Sequence, residues 1–171
     1  RSELDGIPVH RLPMRAALYS SKVDRLADVA HRIERLKRDV APDVIHLSGV
    51  GPSAVFHLVT ENAHPAPLLV SLRTEVLGSQ RGRNASILER VLRRAEWTTA
   101  VSLAVLEQAR RLVPDVAARS SVVHNFVDAP DRPATPPPFR PPRLLCLGRL
   151  IADKGFDLAV QALPAVLARY P

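Results

Sequence analysis

Asp43-Val44-Ile45-His46-Leu47 is a short apolar run, and Ser48-Gly49-Val50-Gly51-Pro52-Ser53 follows it directly. The run has the length and composition of a buried β-strand, and the glycines and proline after it predict a tight turn into a helix. Pro52 suits the first turn of that helix, Ala54 to Val59, because its missing N–H would have no helical partner there. A buried strand that leads into a helix in this way is the repeating unit of parallel α/β sheets.

The same alternation of apolar strands and helices continues on both sides of this stretch. The predicted segments are a strand in Ile7 to Leu12, a helix from its N-cap Ser21 to Pro42, strands at Leu68 to Leu72, Thr98 to Val101 and Ser121 to His124, and helices at Ile87 to Ala95 and, capped by Ser102, Val105 to Leu112. Short strands that are largely apolar predict a parallel sheet with helices on both faces. The fold class is therefore α/β, with a Rossmann-like, doubly wound parallel sheet.

Proline divides the chain into parts. The chain has 16 prolines, and the stretch from Pro130 to Pro142 is too rich in them for a helix or a central strand. It is typical of a semi-rigid linker. After it the pattern restarts with a strand at Arg143 to Leu147, a turn at Gly148 to Gly155 and a helix at Phe156 to Tyr170. We expect an incomplete first domain over residues 1–129, a linker over 130–142, and the first strand–helix unit of a second Rossmann-like domain over 143–171.

The charge favours an anionic partner. The chain has 171 residues and a formal net charge of +7. This charge is compatible with nucleic acid, phosphate groups or an acidic membrane surface, but the basic residues form no long run that would predict a nucleic-acid-binding tail. No apolar stretch reaches the roughly 18 residues of a transmembrane helix. We expect a cytoplasmic location, with the basic surface favouring peripheral association with the cytoplasmic face of a membrane.

Metal and disulfide chemistry are not predicted. Cys146 is the one cysteine, which excludes an internal disulfide and a multi-cysteine metal site. Its place in an apolar strand predicts a buried, inert side chain. His57 and His64 flank Glu61, but the prolines that follow break the helix that would bring these side chains together.

Leu147-Gly148-Arg149-Leu150-Ile151-Ala152-Asp153-Lys154-Gly155 is the best candidate for ligand binding. It joins a predicted strand to a predicted helix, and open parallel sheets bind ligands beyond the carboxyl ends of their strands. Gly148 allows a close approach of the backbone, while Arg149 and Lys154 supply two cations suited to a diphosphate. From the spacing alone, an ordinary exposed loop with two solvated bases is an equal alternative.

Two polar residues at strand ends are further candidates. His46 ends the strand quoted first, and it is either a cleft residue or, more commonly for a single histidine there, a hydrogen-bonded structural one. Asn125 follows the last strand of the first domain and is expected to turn or cap the chain, with a ligand contact as the second interpretation.

The loop and its flanks resemble the start of the C-terminal domain of family 4 glycosyltransferases, which have the GT-B fold. The resemblance lies in Leu144 to Leu150 and Asp153 to Leu163, and three earlier segments resemble the same family in the same order: Pro42 to His46, Ala95 to Ser102 and Val122 to Asp128. It implies a retaining transfer of a sugar from a nucleotide-diphosphate sugar to a glycan, lipid or small-molecule acceptor. It also implies that no metal cofactor is needed and that nucleic acid is not a partner.

The resemblance assigns roles to particular residues. Arg149 and Lys154 match the family's basic pair on the donor diphosphate, and Gly148 would shape their loop. The chain departs from the family at Arg73-Thr74-Glu75, where a histidine near the sugar is common. Glu75 keeps an acidic position, and Arg73 is either a surface residue or a ligand for a phosphate or carboxylate of the acceptor.

Two parts of the family's site are expected outside this sequence. They are the glycine-rich loop of the first domain and the pair of glutamates that grips the donor. We therefore expect little transfer by this chain alone. The alternative function is a non-catalytic, basic α/β module for nucleic acid or anionic lipid, which depends on the charge alone.

Overall fold

The structure is a computed structural model that describes residues 2–20, 22–75, 83–128 and 143–170, and for residues 83–86 the backbone only. Backbone contacts divide the chain into two units, Arg1–Val127 and Asp128–Pro171, and each is described by itself. The predicted N-cap Ser21 and the predicted linker over residues 130–142 lie outside the described residues.

A parallel sheet of four strands forms the centre of the first unit. In their order across the sheet, the strands are β3 (Ile45–Ser48), β4 (Leu68–Leu72), β5 (Trp97–Ala100) and β6 (Ser120–Val122). All neighbours run parallel, and the register sets Ser48 beside Ser71 and Ser71 beside Thr99. Each strand overlaps a predicted apolar run, which confirms the predicted α/β class and Rossmann-like parallel sheet.

Three helices connect these strands and pack on one face of the sheet: α3 (Pro52–Val59), α4 (Arg83–Arg94) and α5 (Leu103–Leu112). The core between sheet and helices contains Leu47, Val70 and Ala100 from the strands, and Leu92 and Leu106 from the helices. Each connection joins adjacent parallel strands in one direction, so right-handed crossovers put all three helices on the same side. Within the described residues, the connecting helices expected on both faces are found on one.

The predicted N-terminal helix is α2 (Val23–Val40), which packs with the short helix α1 (Met14–Leu18) against α3. Its buried positions include Val29 and Ile33, whereas Val23 and Val40, which begin and end the helix, are exposed. In the described part of the chain, no helix is both long enough and apolar enough to cross a membrane.

The strand predicted within Ile7 to Leu12 belongs to a separate hairpin. β1 (Ser2–Leu4) and β2 (Ile7–Val9) pair antiparallel, with Leu4 opposite Ile7. The two residues between them, Asp5 and Gly6, both have positive φ angles, 51° and 80°. Two such residues in succession are typical of a type I′ turn, which fits the twist of a tight hairpin.

The second unit contains a short 3₁₀ turn, Ala152–Lys154, and the predicted helix as α6 (Phe156–Arg169). The strand predicted at Arg143 to Leu147 does not form in the described residues, where the side chains of Leu144 and Leu147 are 79% and 88% exposed. A strand needs a hydrogen-bonded neighbour, and residues 143–170 contain no second strand to supply one. For the same reason Cys146 is exposed rather than buried as predicted.

Candidate functional site

A cavity of about 370 Å³ lies at the carboxyl ends of the four parallel strands. Side chains alternate along a strand, so the neighbours of Leu47, Val70 and Ala100 point away from the helix-covered core. The cavity is lined by residues of this second face, by the last residues of the second and third strands and by the segments that follow the strands: His46, Ser48, Ser71, Leu72, Arg73, Thr99, Ala100, Val101, Val123, His124, Asn125 and Phe126. In open α/β sheets this edge is where ligands bind, which makes the cavity the candidate site.

A chain of hydrogen bonds crosses three strands on the floor of the cavity. Nε2 of His46 lies 2.8 Å from Oγ of Ser71, and this oxygen lies 2.8 Å from Oγ1 of Thr99. The parallel register brings Ser71 and Thr99 side by side. Their hydroxyls can therefore fix the ring of His46, which is a hydrogen-bonded residue and a cavity residue at once.

Arg73 follows β4 directly and lines the same cavity. Its Nη1 donates to Oγ of Ser48 at 3.3 Å, near the long limit for a hydrogen bond. Glu75, two residues further along, lines a smaller adjoining cavity with Gly49, Val50 and again Arg73. Arg73 thus lies between the two cavities, at the position where the sequence departs from the family.

The segment after β6 supplies the opposite wall. Nδ1 of His124 donates to the carbonyl oxygen of Val101 at 3.1 Å, which holds the imidazole across from β5. A neutral ring held in this way carries its proton on Nδ1 and leaves Nε2 as an acceptor. Asn125 and Phe126 come next, both exposed and both lining the cavity. Of the four candidates that sequence reasoning placed in the first domain, His46, Arg73 and Asn125 share this cavity, and Glu75 lies beside it.

The predicted diphosphate loop lies in the second unit. A Cβ atom on Gly148 would lie 3.2 Å from the Phe156 ring and 3.6 Å from Cγ of Lys154, so the loop folds closely over this glycine. Gly155 is the N-cap of α6 and adopts a left-handed conformation with φ of 62°. Lys154 therefore lies one residue before this N-cap. Arg149 and Lys154 are both exposed. The loop thus presents two cations just before a helix N-terminus, where anions are favoured.

A buried polar cluster was not predicted from the sequence. Nζ of Lys37 donates to the carbonyl oxygen of Thr60 at 2.9 Å and lies 3.4 Å from Nδ1 of His57, which accepts from it. Burial lowers the pKa of Lys37, against the opposing effect of Glu61 and Glu34. Burial, reinforced by the Lys37 charge, also lowers the pKa of His57 to about 4. His57 is therefore neutral at pH 7.

The histidines rejected as a metal site have separate partners. Nε2 of His64 lies 3.0 Å from the carbonyl oxygen of Pro42, while His57 pairs with Lys37. The carboxylate of Glu61 accepts from the guanidinium of Arg94. In the described residues, no three histidine, cysteine or acidic side chains come together in a way that would hold a metal ion.

Sequence reasoning missed Ser48, Ser71 and Thr99 as cavity residues. The available signal was the hydroxyl at the corresponding position of three successive strands, each near the carboxyl end. A hydroxyl within an apolar strand is easily taken as a tolerated core residue. Only the register shows that the three lie in neighbouring rows on one face.

Comparison with known proteins bears on the first unit. The sequence profile of Glycosyltransferase Family 4 matches residues 1–131. The matched range contains every residue that lines the cavity and ends before Gly148, Arg149 and Lys154. A search of the curated proteins found no match to the chain. Because this profile matches most of its length, the chain belongs to glycosyltransferase family 4.

Proposed function

We propose that the protein is a retaining glycosyltransferase that moves a sugar from a nucleotide-diphosphate sugar to a glycan, lipid or small-molecule acceptor. The observation that carries the proposal is the polar cavity at the carboxyl edge of the sheet, in a chain that belongs to family 4. In such a reaction the bond from the anomeric carbon to the diphosphate breaks. A bond to an acceptor oxygen forms, and the acceptor hydroxyl loses its proton.

The donor side of the proposed reaction falls to the second unit. Negative charge develops on the nucleoside diphosphate as it leaves, and fixed cations aimed at that charge lower the barrier. Arg149 offers a planar fork of donors and Lys154 a compact charge, in one loop before the N-terminus of α6. Gly148 keeps the backbone of that loop free of a side chain. With two cations in this role, the reaction proposed here does not use a metal.

The acceptor side of the proposed reaction falls to the cavity of the first unit. Hydroxyl and imidazole groups fixed by the chain of bonds from His46 to Thr99 suit a ligand rich in hydroxyls. Phe126 adds an exposed apolar surface, and Asn125 can both donate and accept. We further propose that the protein works at the cytoplasmic face of a membrane, where its net charge of +7 would favour anionic lipid.

The experiment compares nucleoside diphosphate binding by the wild type with binding by Arg149→Gln and Lys154→Gln. UDP, GDP and ADP are titrated by calorimetry, and each substitution is expected to weaken the preferred nucleotide roughly tenfold, the usual cost of one charge-assisted hydrogen bond. Arg169→Gln is the matched control, because it removes the same charge from the other end of α6. Transfer is measured as release of nucleoside diphosphate from the matching nucleotide sugars.

Comparison ligands separate the proposal from its alternative. Duplex DNA and vesicles of anionic phospholipid are titrated at two salt concentrations. Equal nucleotide binding by the wild type and Arg149→Gln would contradict the donor site. DNA binding that is tighter than nucleotide binding and falls steeply with salt would instead favour the basic binding module.

A further inference from the structure

The ionisable side chains that line the cavity of the first unit are all basic. Among the described residues that line it, Arg73 carries a guanidinium, His46 and His124 carry imidazoles, and none carries a carboxylate. The nine other lining residues carry hydroxyl, amide or apolar side chains. A neutral sugar ring requires no such excess of cationic and protonatable groups, whereas an oxyanion is stabilised by it.

Arg73 contacts a neutral hydroxyl, whereas several other arginines of the first unit contact a carboxylate. Arg93, Arg94 and Arg110 each contact a glutamate carboxylate, so their charges are matched within the protein. Arg73 donates to a neutral hydroxyl, that of Ser48, at 3.3 Å. A bond of this length to a neutral partner is weak, so an anion in the cavity can replace it without loss.

The two imidazoles are held in complementary ways. His46 is bound to Ser71 through Nε2, which leaves Nδ1 for other contacts. His124 is bound to the Val101 carbonyl through Nδ1, which leaves Nε2. Each ring therefore keeps one nitrogen for a ligand. The cavity is thus lined by two rings of fixed orientation and by one guanidinium.

We propose that this cavity binds an oxyanion of the acceptor, a carboxylate or a phosphate ester, and that Arg73 determines this specificity. The inference rests on the proposed function, since it names the class of acceptor that the same site would take. Arg73 acts as the bidentate partner, which a single histidine at this position could not be. His46 and His124 orient the same group from the two other sides.

The experiment titrates the 171-residue chain with three sugars that differ in charge: glucose 6-phosphate, glucuronate and neutral glucose. Binding is followed by the imidazole NMR signals of His46 and His124. The two anionic sugars are expected to bind and shift these signals, and glucose is not. Arg73→Gln is expected to weaken the anionic sugars at least about tenfold, the usual cost of a charge-assisted hydrogen bond.

Controls separate this site from general charge effects. Arg111→Gln removes the same charge from the last turn of α5, which returns to the opposite edge of the sheet, and it is expected to leave binding unchanged. Arg73→Lys keeps the charge without the fork, so it is expected to restore part of the binding lost in Arg73→Gln. Binding of glucose as tight as glucuronate, or no difference between Arg73→Gln and Arg111→Gln, would overturn the proposal.

UDP as a competitor identifies which substrate supplies the oxyanion. If the acceptor supplies it, UDP leaves glucuronate in place, because the diphosphate is proposed to bind at Arg149 and Lys154. Displacement of glucuronate by UDP would overturn the acceptor assignment. The outcome is independent of the donor site: specific binding at Arg73 without nucleotide binding at Arg149 and Lys154 would leave this site intact and contradict the proposed function, and nucleotide binding there without binding at Arg73 would do the reverse.

Discussion

The two faces of the parallel sheet use the same strands for different purposes. In β4, Leu68, Val70 and Leu72 are buried against the helices, while Leu69 and Ser71 between them face the other side and remain partly exposed. The covered face supplies the larger of the two buried apolar clusters in the described part of the first unit. The open face carries the hydrogen-bonded chain and the cavity. Alternate residues of one strand therefore serve the core and the candidate site.

The largest expected effect comes from the same substitution on either face of β4. Leu68→Ala removes a side chain that is 4% exposed, and a buried leucine cut to alanine typically costs about 2–5 kcal/mol of unfolding free energy. Leu69→Ala, one residue away on the open face, is expected to cost about 1 kcal/mol or less, because its side chain already meets solvent. Urea unfolding followed by circular dichroism measures both. Equal losses would show that the two faces are not separated as described.

The second-largest expected effect is a pH dependence of stability, which tests the buried polar cluster of Lys37, His57 and Thr60. Because the pKa of His57 is about 4 in the folded chain and 6.5 is usual, the unfolded chain binds more protons between these values. Stability should therefore be complete above pH 6.5 and fall as the pH drops towards 4. The full loss is on the order of 3 kcal/mol, with about 1.4 kcal/mol for each pKa unit.

The control for this pH dependence is a second histidine variant. His57→Gln should flatten the stability curve between pH 6.5 and 4, whereas His31→Gln, at an exposed position of α2, should leave its slope in place. Lys37, Glu61 and Arg94 are the electrostatic neighbours of His57, and both variants keep them. The same slope in His57→Gln as in the wild type would show that other groups cause the acid loss.

The strands were accessible from the sequence because apolar runs between turn residues are local signals. The division of β4 into two faces could not be predicted, because the run from Leu68 to Leu72 is apolar at every position except Ser71. Which face is covered depends on the side to which the crossover helices return, and this follows from strand order rather than from any one segment. Sequence reasoning therefore reached His46, Arg73 and Asn125 individually, but not the cavity they share.

Other differences between the prediction and the structure depend on residues that are distant in sequence. Lys37 lies in the amphipathic pattern of α2 as an ordinary surface lysine, and only the packing of α2 on α3 buries it against Thr60 and His57. Arg143 to Leu147 has the composition of a strand but finds no neighbouring strand in residues 143–170. Composition can indicate a tendency to pair, but pairing requires a partner at the right distance.

The smallest expected change in stability comes from Ser71→Ala, on the open face. It removes the hydroxyl that joins His46 to Thr99, and a half-buried hydroxyl of this kind contributes at most about 1 kcal/mol. Its effect on the site should be larger than on the fold. Without Ser71, Nε2 of His46 loses its partner, so the imidazole nitrogen signals should shift and the affinity for glucuronate should fall severalfold. Ser121→Ala is the matched control, since Ser121 accepts from Trp97 on the same face and does not line the cavity. If Ser71→Ala and Ser121→Ala weakened glucuronate binding equally, Ser71 would have no special role on the open face. If Ser71→Ala cost as much unfolding free energy as Leu68→Ala, this face would belong to the core.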